Sequence, residues 1–389
     1  MKKSRLLWGL WLVLTVVYWF FSDSYLAVFL PVASVLLPLL SAPVTRHGAK
    51  KLYAELSVRR EGEKGERLEG LLTLRNQSLL PLDRVLIRGV CKNRLTGEKQ
   101  VLRIRTAALP KAQTRQRFLV SSETCGVLQL TLSEAVVYDP FGLFCFRVPL
   151  QGEAETLVRP ELYPSELSVL YGESMSLDSE EYSMKRAGFD PSETFAIREY
   201  RAGDGIRQIH WKLSEKLETL MVRDYGLPIQ NTILLLLETG YAPGGEKPEP
   251  ACISALAEGL LSVSESLGQM QLTHSIGWQD HEAGSFSCME IDETEDRTLS
   301  MAGLLNAACG EDPESVLEHY LEGHEQMESA HVVLFTAEAI DEAAALAEHC
   351  MVTEVLCTPD GTGTSEQAGV SVCVSSPEQL AETISYLEI

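Results

Sequence analysis

Basic residues are nearly missing from the last two-fifths of the chain. From Asn231 to the carboxyl end there are two, Lys247 and Arg297, against 29 aspartates and glutamates, a balance of −27. The first 230 residues carry 31 basic and 26 acidic side chains, so the formal charge of −22 for 389 residues hides a sharp division. A region this acidic repels nucleic acid and anionic lipid headgroups. Its partners are neutral, basic or metallic, or the charge serves only as a solubilising surface.

Cys-x-x-Cys spacing is also missing, and the cysteine count of nine is odd. Most of the nine fall inside apolar runs such as FGLFCFRV and EVLCT. They read as small buried hydrophobes in a reducing compartment, not as a disulfide frame. No Gly-x-Ser-x-Gly elbow occurs. His319 and His324 are five apart, the wrong spacing for His-Glu-x-x-His, and His349 with Cys350 and Cys357 is too sparse a set for zinc. No cofactor is expected.

What is present begins with two apolar runs, Leu6 to Phe21 and Tyr25 to Leu40, parted by Ser22, Asp23 and Ser24. The short gap predicts a tight helical hairpin, with Trp8, Trp11, Trp19 and Tyr25 at the lipid interface and the bilayer contacted through residues 6–40. A cleaved signal peptide is the rival reading for the first run. It is weakened by the second run and by the lack of an Ala-x-Ala-like site. Lys2, Lys3 and Arg5 precede the hairpin, and Arg46, Lys50 and Lys51 follow it, so the positive-inside rule predicts two passes through the cell membrane with both ends in the cytoplasm. Pro31 and Pro38 are expected to kink the second helix.

From Lys51 to Val158 apolar and polar residues alternate in short runs: Leu52 to Val58, Leu68 to Arg75, Val85 to Val90, Val101 to Thr106, Arg115 to Val120 and Val127 to Ser133. Turn-forming stretches separate them. This pattern predicts an antiparallel β-sandwich of immunoglobulin-like type. The stretch Tyr138 to Phe144, YDPFGLF, reads as a bend that packs Phe141 and Phe144 into a core. Asp139, standing before Pro140, reads as a turn former rather than an active-site acid.

Phe195 to Tyr225, FAIREYRAGDGIRQIHWKLSEKLETLMVRDY, is dense in opposite charges. Phe195 to Arg201 alternates as a strand, Asp204 suits the N-cap of a short helix from Gly205 to Lys212, and Leu220 to Tyr225 alternates as another strand. That order brings Arg198, Glu199, Arg201, Asp204 and Arg207 together. Two readings stand: ion pairs and the Trp211 ring fasten the strip to its flanking domains, or the strip binds an anion, a cation or a partner's acidic loop. Asp204, His210 and Ser214 also offer the residue types of a hydrolase trio, without the nucleophile context such a trio needs.

The pattern Glu199-Tyr200-x-x-Gly203-Asp204-x-x-Arg207-x-Ile209-x-Trp211-Lys212, preceded by Arg198 and by the bend Asp139-Pro140-Phe141-Gly142-Leu143, resembles the signature of a bacterial membrane protein family known as domain of unknown function 58. The resemblance extends over the hairpin and the α/β region. One departure is Ser214-Glu215-Lys216, where such families usually continue Ser-Ala-Arg. The resemblance implies a von Willebrand factor A-like domain downstream and a functional link to MoxR-type AAA+ ATPases. It implies no known reaction.

After Asn231, the run Ile233 to Leu237 suits a strand buried on both faces. Expected next are a helix over Ala251 to Met270, a strand over Leu272 to Trp278, an edge strand over Ser285 to Ile291, and helices over Thr298 to Ala308 and Pro313 to Leu321. A strand over Val332 to Phe335, a helix over Ile340 to Cys350, strands over Thr353 to Cys357 and Val370 to Val374, and a helix over Pro377 to Leu387 complete the series. Alternation of this kind makes a doubly wound α/β sheet, in an order that fits a von Willebrand A-like fold. The metal site of that fold uses Asp-x-Ser-x-Ser after the first strand. Here Glu238-Thr239-Gly240-Tyr241-Ala242 stands there without either serine. No metal is therefore expected, with Glu238 and Thr239 as weak candidates, and no Gly-rich phosphate loop follows the strand.

The chain thus reads as multi-domain: a transmembrane hairpin (1–45), a β-sandwich (46–158), a linker with the charged strip (159–230) and an α/β domain (231–389). The expected function is a membrane-tethered cytoplasmic scaffold that binds proteins, with a MoxR-type ATPase as partner and no nucleic acid. The alternatives are a hydrolase-type enzyme using the strip carboxylates and a metal-dependent adhesion module, the latter disfavoured by the missing serines.

Overall fold

The computed structural model describes residues 2–164, 182–188, 190–199, 210–217, 219–228, 232–323, 329–340, 342–347, 350–361, 363–367, 369–385 and 387. The chain divides into two units. One comprises 1–161 with 249–254 and 303–310, and the other comprises the remaining segments from Leu162 on.

The first unit opens with helices α1 (Lys2–Phe21) and α2 (Tyr25–Ala49), both long and apolar enough to cross a membrane by length and composition. Their apolar side chains are largely exposed from Leu6 to Val44. Ser24 caps α2 by accepting from the Leu26 N–H, and Arg46 and His47 sit in its last turn, where cations complement the helix dipole. Two tryptophans of α1 reach a serine of α2. Trp8 Nε1 donates to the Ser34 carbonyl at 3.1 Å and Trp11 Nε1 to Ser34 Oγ at 3.0 Å, while Ser34 Oγ donates to the Leu30 carbonyl. Helix α2 runs through Pro31, Pro38 and Pro43 and ends at Ala49, past both the apolar run that closes at Leu40 and the hairpin boundary expected at residue 45.

Nine strands follow: β1 (Leu52–Val58), β2 (Glu61–Gly62), β3 (Leu68–Asn76), β4 (Leu82–Asn93), β5 (Lys99–Ala108), β6 (Gln113–Val120), β7 (Gly126–Tyr138), β8 (Cys145–Pro149) and β9 (Glu153–Val158). They form a three-stranded antiparallel sheet, β1-β3-β6, and a larger sheet, β2-β9-β7-β4-β5, with β8 also on β7. One apolar cluster draws on both sheets, with Leu68, Leu72, Leu74 and Phe118 from the first and Ile87, Ile104, Leu130 and Val137 from the second. The period-two burial of β3 (every second residue buried from Leu68 to Asn76) is what the sequence alternation encodes.

Two buried asparagines tie the loops of this unit. Asn76 donates from Nδ2 to the Leu80 and Ala108 carbonyls, while its Oδ1 accepts from the Ser78 N–H and hydroxyl. Asn93 donates to Thr124 Oγ1 and the Cys125 carbonyl.

The bend after β7 differs from its expected role. Asp139 is fully buried, and its carboxylate accepts from the Phe144 N–H at 2.7 Å and the Phe141 N–H at 3.3 Å, the Asx geometry of a turn former. The core residue of the bend, however, is Leu143 (5% exposed). Phe141 and Phe144 are 42% and 38% exposed, because the Gly142 turn directs Leu143 inward and its neighbours outward.

The second unit begins with strands β10 (Tyr182–Gly188) and β11 (Asp190–Glu199), helix α3 (Trp211–Leu217) and β12 (Met221–Pro228). These strands form an antiparallel sheet of order β10-β12-β11: β11 and β12 overlap the two strands expected in the charged strip, and β10 is added from the stretch before it. The doubly wound part runs β13 (Thr232–Leu237), β14 (Gly240–Tyr241), α4 (Pro250–Gln269), β15 (His274–Asp280), β16 (Ser285–Ile291), α5 (Thr294–Asn306), β17 (Gly310–Glu311), α6 (Val316–Gly323), β18 (Ser329–Thr336), α7 (Glu342–Leu346), β19 (Met351–Cys357), β20 (Gly363–Gln367), β21 (Val370–Ser375) and α8 (Leu380–Ser385). Its sheet has the order β16-β15-β13-β18-β19-β21-β20, with the edge strands β16 and β20 antiparallel to their neighbours. Leu234 to Leu237 of β13 are fully buried, as expected for a strand covered on both faces.

All nine cysteines carry free thiols. Cys91, Cys125, Cys252 and Cys357 are buried, whereas Cys288 on β16 is exposed, which corrects the expectation of burial at that position.

Two measurements test this account. Asn76→Ala leaves the 77–80 loop without its acceptors and donors and should lower stability by about 1–3 kcal/mol in denaturant unfolding. An unchanged midpoint would show that the loop is held by other means. His331, on β18, is buried with Nε2 2.8 Å from Thr353 Oγ1, and burial lowers its pKa from 6.5 to about 4. Below pH 6.5 the unfolded chain takes up a proton that the folded chain refuses. Stability should therefore fall between pH 6.5 and 4, by up to about 3 kcal/mol from this group. Plotted against pH, the melting temperature of His331→Gln should fall less steeply over that window than the wild type's; parallel curves would remove His331 as the cause.

Candidate functional site

In a doubly wound sheet the place for chemistry is the carboxyl edge where successive connections leave in opposite directions. Here that place lies between β13, whose next sheet strand is β15 on one side, and β18, whose next is β19 on the other. The Glu238 N–H donates to the Phe335 carbonyl at 2.9 Å, closing the two strand ends together.

Glu238 then turns its carboxylate onto backbone. Oε1 accepts from the Gly240 N–H at 2.7 Å and Oε2 from the Val316 N–H at 2.6 Å, the first residue of α6. Ser315 and Glu318 complete the helix start as a capping box: Ser315 Oγ accepts from the Glu318 N–H, and Glu318 Oε2 from the Ser315 N–H. Burial pushes the Glu238 carboxyl above its ordinary value, against the two N–H groups and the nearby His281 that pull it down.

Beside it lies a carboxylate shared by two imidazoles. Asp312 Oδ2 is 3.1 Å from His281 Nδ1 and 3.1 Å from His319 Nε2, and Oδ1 accepts from the Glu314 N–H. Burial works to raise the Asp312 pKa, but the Glu314 N–H and His319, with the charge of His281, outweigh it and hold it below the ordinary carboxylate value. The His281 side chain is almost completely buried, and its Nε2 has no hydrogen-bond partner. Its ring fits only because residue 240 is glycine: a side chain there would start 2.8 Å from His281 Cε1 and 2.9 Å from Glu238 Oε1. Thr239 Oγ1 is also buried without a partner.

Of the weak metal candidates, then, Glu238 is engaged by two N–H groups, and Thr239 is close in sequence but contributes no described bond. Among the described residues, a set suited by residue type to a divalent ion is Glu314, His319 and Glu322, whose ligand atoms lie within 4.8 Å of one another. His319, at the wrong spacing from His324 for His-Glu-x-x-His, links this set to Asp312. The His281–Asp312–His319 grouping could not be read from sequence, because its members are 31 and 7 residues apart and on separate segments.

The charged strip divides differently. Tyr200, Gly203, Asp204, Arg207 and Ile209 lie outside the described residues, as does Arg201. Arg198 and Glu199 close β11, opposite Val222 and Met221 of β12. Trp211 and Lys212 open α3, so the described helix spans 211–217 where one ending near Lys212 was expected. Ser214 of the suggested hydrolase trio is buried, and its hydroxyl is bound to backbone: it accepts from the Met221 N–H at 2.8 Å and lies 3.0 Å from the His210 carbonyl. The His210 N–H donates to the Met221 carbonyl at 2.8 Å, so the pair pins α3 to β12. Glu215 is exposed, and no small residue is required there.

No family model matches the chain, and no curated protein matches it. Among solved structures it is similar to the CARDB domain of the PF1109 protein from Pyrococcus furiosus, with 14% identity and a TM-score of 0.21 over 28% of this chain and 87% of that one. It is also similar to the alkylpurine DNA glycosylase AlkC of Pseudomonas fluorescens, with 17% identity and a TM-score of 0.22 over 35% of this chain and 40% of that one. A third is the sporulation control protein Spo0M of Bacillus subtilis, with 8% identity and a TM-score of 0.20 over 28% of this chain and 50% of that one. Likenesses this weak carry no argument.

A hard cation at the β13 edge would have to take Glu238 from the N–H groups of Gly240 and Val316, and Gly240 and Ala242 stand where the two serines of Asp-x-Ser-x-Ser would supply hydroxyls. Millimolar Mg²⁺ should therefore leave the melting temperature unchanged; a rise that Glu238→Gln abolishes would place a cation there.

Proposed function

We propose that this chain is a membrane-tethered, cytoplasm-facing scaffold that acts by binding proteins and works with a MoxR-type AAA+ ATPase. The observation that carries the reading is the state of the carboxyl edge of the doubly wound sheet, where an enzyme of this architecture gathers its reacting groups. Glu238 and Asp312 are there, but their oxygens are taken up by backbone N–H groups and imidazoles that fix α6 and its approach. An open hollow on β1, β3 and β6 is lined by Arg59, Glu69, Arg115 and Arg117, and one beside α4 by Thr273, Asp292, Glu293 and Arg297. In the second the Thr273 hydroxyl donates to Asp292 Oδ1 at 2.9 Å, but the residues lining either hollow include no histidine or cysteine to activate or act as a nucleophile.

The finer fold assignment belongs to this reading. The order β16-β15-β13-β18-β19-β21, with β16 antiparallel, supports a von Willebrand A-like domain, and two antiparallel-rich sheets around one core support an immunoglobulin-like sandwich. The hairpin spans the membrane twice, with Lys2, Lys3 and Arg5 at one end and Arg46, Lys50 and Lys51 at the other, both on the cytoplasmic side. The acidic stretch from Asn231 on, with its charge of −27, suits a basic protein surface and repels nucleic acid.

The full-length chain, tagged and purified from its native membrane, should bring a MoxR-type ATPase with it, and the amount should change between ATP and ADP. Recovery of the chain with no such ATPase in either nucleotide state would sink the partner assignment.

A further inference from the structure

The bend between β7 and β8 leaves two aromatic rings exposed at one particular level of the first unit. Its own hydrogen bonds make it rigid: Asp139 is capped onto Phe141 and Phe144, the Gly142 N–H donates to the Asp139 carbonyl at 2.9 Å, and the Asp139 N–H to the Phe144 carbonyl at 3.2 Å. Its Leu143 carbonyl accepts two bonds from one guanidinium, Arg5 Nε at 3.1 Å and Arg5 Nη2 at 3.0 Å. Gly142 holds φ at +68°, and a side chain there would meet Ser4 Oγ at 3.1 Å and Arg84 at 3.3 Å, so the turn lies against the first turn of α1. The apolar surface of α1 starts at the very next residue, Leu6. The bend therefore stands at the height where α1 passes from charged to apolar.

We propose that Phe141 and Phe144 are a third membrane contact, seated in the headgroup–acyl boundary of the leaflet that α1 enters from the cytoplasm. The proposal rests on the membrane reading of α1 and α2 and extends it to the β domain. Aromatic rings favour this boundary, where one edge meets hydrocarbon and the other meets polar groups. Arg5 and Arg84 stand beside the bend, and Lys2 and Lys3 precede Arg5 in the same first turn of α1, a positive charge suited to anionic headgroups. Exposure of two phenylalanines on a turn fixed by six hydrogen bonds, beside an apolar helix surface, is accounted for by lipid at that level. The contact would set the tilt of the β domain against the bilayer, because the turn has no freedom to swing independently of Arg5.

The test uses the full-length chain in nanodiscs of phosphatidylethanolamine and phosphatidylglycerol, with p-benzoylphenylalanine in place of Phe141, Phe144, Leu14 or Leu119, one position at a time. Leu14 lies on the exposed face of α1, and Leu119 is an equally exposed position on β6. After illumination, mass spectrometry should find lipid adducts at 141, 144 and 14 and none at 119. Adducts at 14 without adducts at 141 or 144, or protein–protein crosslinks in their place, would overturn the contact and leave the hairpin standing. Absence of adducts at 14 would remove the membrane reading and the contact with it.

Discussion

A strand with leucine on both faces carries the chain into a place without water, and the first polar group beyond it has to be met by protein. β13 imposes that constraint. Its residues Leu234 to Leu237 have no exposed surface, and Glu238 follows at once. The carboxylate answers with two backbone N–H groups, one of them at the start of α6, 78 residues further along the chain. That single bond sets where α6 begins relative to the sheet, since the N–H groups of a helix start are its strongest sites for negative charge. Asp312, four residues before Val316, then gathers His281 and His319, so a buried imidazole and a helical one are fixed by the approach to the same helix.

The same constraint explains the first unit. Asp139, Asn76 and Asn93 are each fully or almost fully buried, and each spends its side chain on the backbone of a loop. Such residues look like candidates for catalysis when only their type is considered. Their environment decides otherwise, because a loop that turns within the protein exposes N–H and C=O groups that water cannot reach. Ser214 follows suit in the second unit by joining α3 to β12. Polar side chains in these positions are part of the backbone's hydrogen-bond accounting, and a substitution there acts on folding before it acts on any ligand.

Much of the fold was legible because periodicity reports burial directly. The alternation from Leu52 to Val58 and the run at Ile233 to Leu237 each locate a strand within a residue or so of its ends. The bend at Phe141 and Phe144 was misread for an equally physical reason. In a tight turn, adjacent side chains do not follow the two-residue alternation, and apolar character alone cannot say which of Phe141, Leu143 and Phe144 turns inward. Most of the short helix expected from Gly205 to Lys212 lies outside the described residues, and the bonds that anchor α3, from Trp211 on, come from His210 and Met221. The His281–Asp312–His319 grouping left no local trace. Its members meet through tertiary structure, and nothing in their spacing marks them as neighbours.

Replacing Glu238's partners with a cation would have consequences beyond the edge itself. A metal would draw the carboxylate from the Val316 N–H, and α6 would lose a charge-assisted cap in addition to the hydrogen bond. The helix would keep its Ser315–Glu318 capping box, so it would not unravel, but its hold on the end of β13 would be gone. The missing serines and the engaged carboxylate thus point the same way. A metal edge has to keep its ligands free of structural duty, and here the first carboxylate after the central strand is what joins the sheet to its helix. Glu314, His319 and Glu322 bring their ligand atoms within 4.8 Å of one another, but His319 too is engaged, by Asp312 at Nε2 and by Glu314 at Nδ1, so residue type alone favours that set.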